Sequence, residues 1–100
     1  MTEPMTTSQI TAALSELPGW TFDADADMLS KKFEFEHFKE AMSFLVRVAF
    51  EAEAINHHPD IHNVYRTVTL KLNTHDAGGK VTGKDIKLAK AIEHLNWLGK

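Results

Sequence analysis

The 100-residue chain contains no cysteine. That excludes disulfides and thiolate metal sites and agrees with a reducing compartment. It also has no apolar run approaching the ~18 residues a membrane span requires. Positive charge is not in excess: 11 Lys and Arg stand against 14 Asp and Glu, a net charge of −3. The field of the whole molecule therefore gives no reason to expect nucleic-acid binding. Met1 to Thr7 is polar, reads as a loose end, and lacks the charged-then-apolar layout of a signal peptide. No internal repeat or low-complexity segment occurs. A cytoplasmic protein without membrane segments is the expectation. What remains is ordinary: 43% apolar and 25% charged residues fit a globular composition. The length is near the mode for one domain and can bury roughly 60–70% of the unfolded surface. Residues 1–100 are accordingly read as a single domain with one core.

Hydrophobic spacing gives the order of elements. Ser8 is placed to cap a helix running to Leu17, with Ile10, Ala13, Leu14 and Leu17 at spacings of three and four. Pro18-Gly19 stops it. Trp20 to Asp23 reads as a short strand, and Asp23 to Asp27 as an acidic turn. From Leu29 to Glu36 apolar and polar residues alternate, with Lys31 interrupting the apolar side; this is a strand with one wet face. The strongest helix spans about His37 to Asn56, with a stripe of Phe38, Ala41, Met42, Leu45, Val48, Ala49 and Ala52. Glu53 lies in its last turn, four residues before His57, so the two are neighbours if the helix extends that far. Val64, Val68, Leu70 and Leu72 then alternate with Tyr65, Thr67, Thr69, Lys71 and Asn73. One long strand, or two broken near Arg66, fits that pattern equally. After a glycine-containing loop, Thr82 and Asp85 have capping-box spacing, and Leu88, Ala91, Ile92 and Leu95 form the stripe of a last helix. The expectation is an α+β fold: a small antiparallel sheet with helices on one face.

The stretch from Glu53 to Asp85 carries the chemistry. Three of the six histidines, His57, His58 and His75, sit where regular elements stop. Pro59 disfavours helical geometry at His58, and Gly78-Gly79 breaks the chain soon after His75. Histidine exchanges protons near neutral pH, so such corners suit acid–base work. Plainer readings stand beside this one. The His57-His58 pair also reads as two exposed turn residues, Glu53 as a solvated helix carboxylate, Asp85 as a cap and Gly78-Gly79 as a simple turn. Trp20 and Tyr65 read as core or rim, and His37 and His94 as surface. Glu53, His57, His58, His62, His75 and Asp76 include many metal-ligand types. However, there is no His-Glu-x-x-His helix, and an adjacent His-His pair is poor tetrahedral geometry, so no metal is assigned.

Taken together, His57-His58-Pro59-Asp60, Asn63-Val64-Tyr65, Leu72-Asn73-Thr74-His75-Asp76-Ala77-Gly78-Gly79 and Thr82 to Ile86 resemble the pterin-4a-carbinolamine dehydratase family. The resemblance runs from Pro18-Gly19-Trp20 to the last helix. It implies a four-stranded antiparallel sheet with three helices on one face, in α-β-β-α-β-β-α order, which favours two strands between Ile61 and Asn73. It also implies dehydration of 4a-hydroxytetrahydrobiopterin (pterin-4a-carbinolamine) to quinonoid dihydrobiopterin and water, in tetrahydrobiopterin recycling, with no metal or organic cofactor. On the family pattern His57, His75 and Glu53 are expected to be catalytic, and His58, Pro59, Thr74 and Asp85 to bind substrate. The chemistry suits these residue types: the C4a hydroxyl leaves once protonated, N5 supplies the electrons, and the N5 proton goes to a base. The sequence leaves open which histidine is acid and which is base. One departure is clear. Animal members carry a Trp-Phe pair after the His-His-Pro-acid corner, where this chain has Ile61 and His62. The family also implies a homo-oligomer, dimer or tetramer. An alternative role follows from it too, as a protein-interaction module, since animal members serve as dimerisation cofactors of a transcription factor and some relatives as assembly factors.

Overall fold

The computed structural model describes residues 3–95. Three helices and four strands follow in the order α1 (Thr7–Leu14), β1 (Thr21–Asp23), β2 (Met28–Glu34), α2 (Phe38–Ala54), β3 (Asp60–Val64), β4 (Thr67–Leu72) and α3 (Gly83–Leu95). The strands form one antiparallel sheet in the order β1-β2-β4-β3. This is the α-β-β-α-β-β-α architecture expected from the sequence. Among the described residues no helix is long and apolar enough to cross a membrane.

Alternation along the central strands sets the core. Leu29 and Phe33 of β2 and Val68, Leu70 and Leu72 of β4 are buried, and join Ile10, Phe44, Val48, Leu88 and Ile92 of the helices in one apolar cluster. Residues between them, such as Lys32, Glu34 and Lys71, face the open side of the sheet. Lys31, which interrupts the apolar side of β2, is accommodated by a polar pocket of its own. Its Nζ donates to the Pro18 carbonyl and to Glu93, both at 2.7 Å, and Glu93 also accepts from Trp20 Nε1 at 3.0 Å.

Several boundaries differ from the sequence reading. Thr6, not Ser8, caps α1: its hydroxyl accepts from the Gln9 N–H while the Gln9 side chain accepts from the Thr6 N–H. The helix ends at Leu14, before Leu17, which is buried beyond it. The chain before α1 is not loose from Pro4 onward, because Pro4 bridges Thr82 and the Met5 N–H donates to the Val81 carbonyl. Met1 and Thr2 of the expected loose end lie outside the described residues. In α2 the buried line is Ala41, Phe44, Val48 and Ala52. Phe38 and Ala49, assigned to that stripe, are exposed. Phe44 sets the phase, its ring centroid 4.8 Å from Phe33 and 5.1 Å from Phe35. Likewise α3 buries Ile86, Leu88, Ala89 and Ile92, leaving Ala91 and Leu95 half-buried.

The run after the His-His corner is a hairpin. Val64 pairs with Thr67 around Tyr65-Arg66, where Tyr65 takes φ 52°. Asn63 Nδ2 donates to the carbonyls of Tyr65 and Thr67, each at 3.0 Å, and stabilises the turn. This settles the choice between one strand and two.

Candidate active site

The end of α2 places the first histidine. Ile55 is the C-cap, and Asn56 adopts the left-handed conformation with φ 52°. The Asn56 N–H donates to the Glu53 carbonyl at 3.1 Å and the His57 N–H to the Ala52 carbonyl at 3.0 Å. These two bonds make a Schellman motif, and Asn is second only to Gly in tolerating its left-handed residue. The helix is therefore stopped by Asn56, three residues ahead of Pro59. The chain reverses at Asn56, so His57 points inward and is buried, while His58 is exposed.

The hairpin brings in the third histidine. Asp60 pairs with Lys71, so the segment before β3 and the segment after β4 leave the sheet at the same end. After β4, residues 74–80 form a closed loop. The Thr74 N–H donates to the Lys80 carbonyl at 2.8 Å, a 3-10 turn runs over His75–Ala77, and Gly78 and Gly79 have φ of 77° and 73°. His75 stands exposed on this turn, and no hydrogen bond to its ring occurs among the described residues. The loop is fastened from behind by Asp27, which accepts from the Val81 N–H and pairs with Lys80, both at 3.2 Å.

His57, His58, Thr74 and His75 line one cleft of about 260 Å³, with Asn56, Asn73, Asp76 and Lys84 completing it. Three of the residues expected at the site, Asp85, Glu53 and Pro59, do not line the cleft themselves. Asp85, expected to bind substrate, is instead fully buried behind His57, at 0% exposure. Its Oδ1 is 2.5 Å from His57 Nε2, and its Oδ2 accepts from the Thr74 hydroxyl and from the Thr82 N–H, each at 2.9 Å. The capping role and the histidine contact therefore coexist in one side chain, because the first turn of α3 abuts the end of α2. Glu53 does not reach His57. It lies outside the cleft lining, with Oε1 2.8 Å from His58 Nε2. Pro59 is half-buried at the corner and touches the cleft only through its effect on His58.

This arrangement can hold and move protons. A buried carboxylate that binds one ring nitrogen of a histidine orients the ring and leaves the other nitrogen for a reacting group. Among the described residues no three His, Asp or Glu are grouped to hold a metal ion. Asn56, Asn73 and Lys84 were not singled out in the sequence. Asn56 alone had a local signal, as a residue tolerant of left-handed backbone at a helix end.

Residues 3–95 match the family model described as Pterin 4 alpha carbinolamine dehydratase. The chain belongs to this family. A protein of Opitutus terrae named "Putative pterin-4-alpha-carbinolamine dehydratase" is 55% identical over 95 residues, covering 95% of this chain and 96% of that one. Among solved structures, a "transcriptional coactivator/pterin dehydratase" from Brucella melitensis superposes with a TM-score of 0.87 at 33% identity, covering 92% of this chain and 97% of that one. A pterin dehydratase-like protein identified as a RuBisCO assembly factor in the alpha-carboxysome has a TM-score of 0.67 at 22% identity, covering 79% and 90%. At that identity it speaks to the fold alone.

Within the dehydratase family frame, the departure at Ile61 and His62 has a definite location. Both residues are exposed on β3 and line a different groove, of about 380 Å³, with Asp60, Thr69 and Lys71. Among the described residues, the histidine cleft itself is lined without Phe, Tyr or Trp.

Proposed function

We propose that the protein is a 4a-hydroxytetrahydrobiopterin dehydratase, a hydro-lyase that forms quinonoid dihydrobiopterin in the cytoplasmic recycling of tetrahydrobiopterin. Residues 1–100 act as one catalytic domain. The observation that carries this reading is the meeting of His57, His58 and His75 on one cleft, with His57 backed by the buried Asp85.

His57 and His75 are the acid–base pair. One protonates the C4a hydroxyl as the C4a–O bond breaks, and water leaves. The N5 lone pair forms the N5=C4a double bond, and the other histidine takes the N5 proton. Each transfer contributes about 10²–10⁴-fold. His58 and Thr74 hold the substrate, and Pro59 keeps His58 extended. Asp85 acts through His57, not on the substrate. Glu53 acts through His58, which revises the catalytic role expected for it. No metal or organic cofactor is needed for this chemistry. The test is the rate at which the purified protein consumes freshly generated 4a-hydroxytetrahydropterin. Acceleration well above the spontaneous rate is expected, and none would overturn the assignment.

A homo-oligomer, dimer or tetramer, belongs to the proposal. Phe38 and Phe50 of α2 are 55% and 72% exposed, and β3 is an open sheet edge. Light scattering at micromolar concentration should give a multiple of the chain mass. A second reading, an interaction module, draws on the same exposed residues and on the coactivator role named for the Brucella structure. Failure to speed dehydration, with α2 engaged by a protein partner, would favour it.

A further inference from the structure

The mechanism above uses Thr74 only at the cleft and does not use Thr82. Thr82 is fully buried and does not line the cleft. Its hydroxyl lies 2.6 Å from that of Thr74, and the Thr74 hydroxyl donates to Asp85 Oδ2. A hydroxyl has one proton to give. Since Thr74 gives its proton to Asp85, Thr82 must be the donor in the contact between the two threonines. The Thr82 oxygen in turn accepts from the Lys84 N–H at 3.2 Å. The hydrogen bonds thus run one way, from Lys84 N–H to Thr82, to Thr74, to Asp85. The Thr82 N–H reaches the same Oδ2 independently. Among the described residues both groups that meet this oxygen are donors, so Oδ2 serves as an acceptor, and an ionised carboxylate, being acceptor-only, takes its contact with His57 Nε2 as an acceptor too.

We propose that Thr74 and Thr82 are positioning residues for His57: their one-way hydrogen-bond chain holds Asp85 as an acceptor, so that the neutral His57 carries its proton on Nε2 and presents a bare Nδ1 to the cleft. The assignment rests on the acid–base role given to His57 above, and it fixes which ring nitrogen meets the substrate. It makes neutral His57 ready to take the N5 proton, which leaves protonation of the C4a hydroxyl to His75.

The tautomer can be read without substrate, by long-range nitrogen–proton correlation NMR of His57 at a pH where the ring is neutral. The expected result for the wild type is a protonated Nε2 and a bare Nδ1. Asp85→Asn gives the sharper arm. The Thr74 hydroxyl and the Thr82 N–H still need an acceptor, so the new amide oxygen turns to them and its NH₂ turns to His57. Nε2 must then accept, and the ring proton moves to Nδ1. Thr82→Val should lower kcat by about threefold to tenfold with KM unchanged, from the loss of a bond that polarises Thr74. Thr82→Ser, which keeps the hydroxyl, should restore both kcat and the wild-type NMR signature. A wild-type ring protonated on Nδ1, or an Asp85→Asn protein that keeps its proton on Nε2, overturns the proposal. So does a Thr82→Val protein with wild-type kcat. If the protein turns over no pterin carbinolamine, the proposed function fails while the tautomer measurement still decides the hydrogen-bond chain.

Discussion

Glu53 lies against His58 and not against His57, although His57 is the residue four positions on. Residues four apart are neighbours only while the helix continues. Here α2 ends at Ala54 and the left-handed Asn56 turns the chain. His57 is carried inward to Asp85, and His58 is left over the helix end, with its Nε2 2.8 Å from Glu53. Two histidines adjacent in sequence therefore occupy a buried and an exposed environment.

Replacement of Glu53 should consequently have small effects. Both partners of the Glu53–His58 pair are well exposed, at 77% and 58% of their side chains. Exposed pairs of this kind contribute about 0–1 kcal/mol. Glu53→Gln should shift the urea midpoint little and change kcat by less than about threefold, with any larger effect falling on KM through His58. A loss of kcat approaching that of a proton-transferring residue would return Glu53 to the catalytic group.

Asn56 should matter through its backbone. Its φ of 52° is costly for residues with a β-carbon, less so for Asn, and not for Gly. Asn56→Ala should destabilise the protein by about 1 kcal/mol, whereas Asn56→Gly should stay near wild type in urea unfolding. Asn56 also lines the cleft, so the glycine variant separates the two roles. If it keeps its stability but loses turnover, the amide contacts the substrate. If it keeps both, Asn56 serves only to deliver His57.

The phase of α2 gives a stability contrast. Phe44 is 1% exposed and packs against Phe33 and Phe35, while Phe38 is 55% exposed. Phe44→Ala should cost about 3–5 kcal/mol, as deletion of a buried aromatic does. Phe38→Ala, measured on the isolated subunit, should fall within about 0.5 kcal/mol, the range of surface substitutions. Equal losses from the two variants would mean that α2 packs in the other phase.

The same helix shows why the sequence was legible to a point. The order of elements follows from alternation along β2 and β4 and from helical spacing in α2 and α3, and these are local properties. The face of α2 that is buried is not local. Apolar residues lie on both sides, with Phe44 and Val48 inward and Phe38, Val46 and Phe50 outward, and only contact with Phe33 and Phe35 decides between them. Asp85 makes the same point within the site. Its capping bond to Thr82 spans three residues and is visible as a motif, but its contact with His57 spans 28 and depends on how α3 meets the end of α2. The Thr74–Thr82 contact has no sequence signature, because it arises where a strand end meets a helix start.

The sharpest test concerns the three histidines, because their environments assign them different losses. His57 is buried and held by Asp85, whereas His75 stands exposed on the 74–80 loop; both line the cleft. If each transfers one proton, His57→Ala and His75→Ala should each lower kcat by about 10²-fold or more. Groups that act as a unit are not additive, so the double variant should be much less impaired than the product of the single losses. His58→Ala should instead raise KM with kcat little changed, as loss of a contact equal in ground and transition states requires. The His57 variant carries a second cost that the others do not: it leaves the buried Asp85 facing a cavity without its partner. A lower unfolding midpoint is therefore expected for His57→Ala alone. His57→Gln, which can still donate to Asp85, should recover stability without recovering turnover. Near-wild-type turnover and KM in both the His57 and His75 variants would remove the acid–base assignment. Recovery of turnover by His57→Gln would reduce His57 to a donor for Asp85.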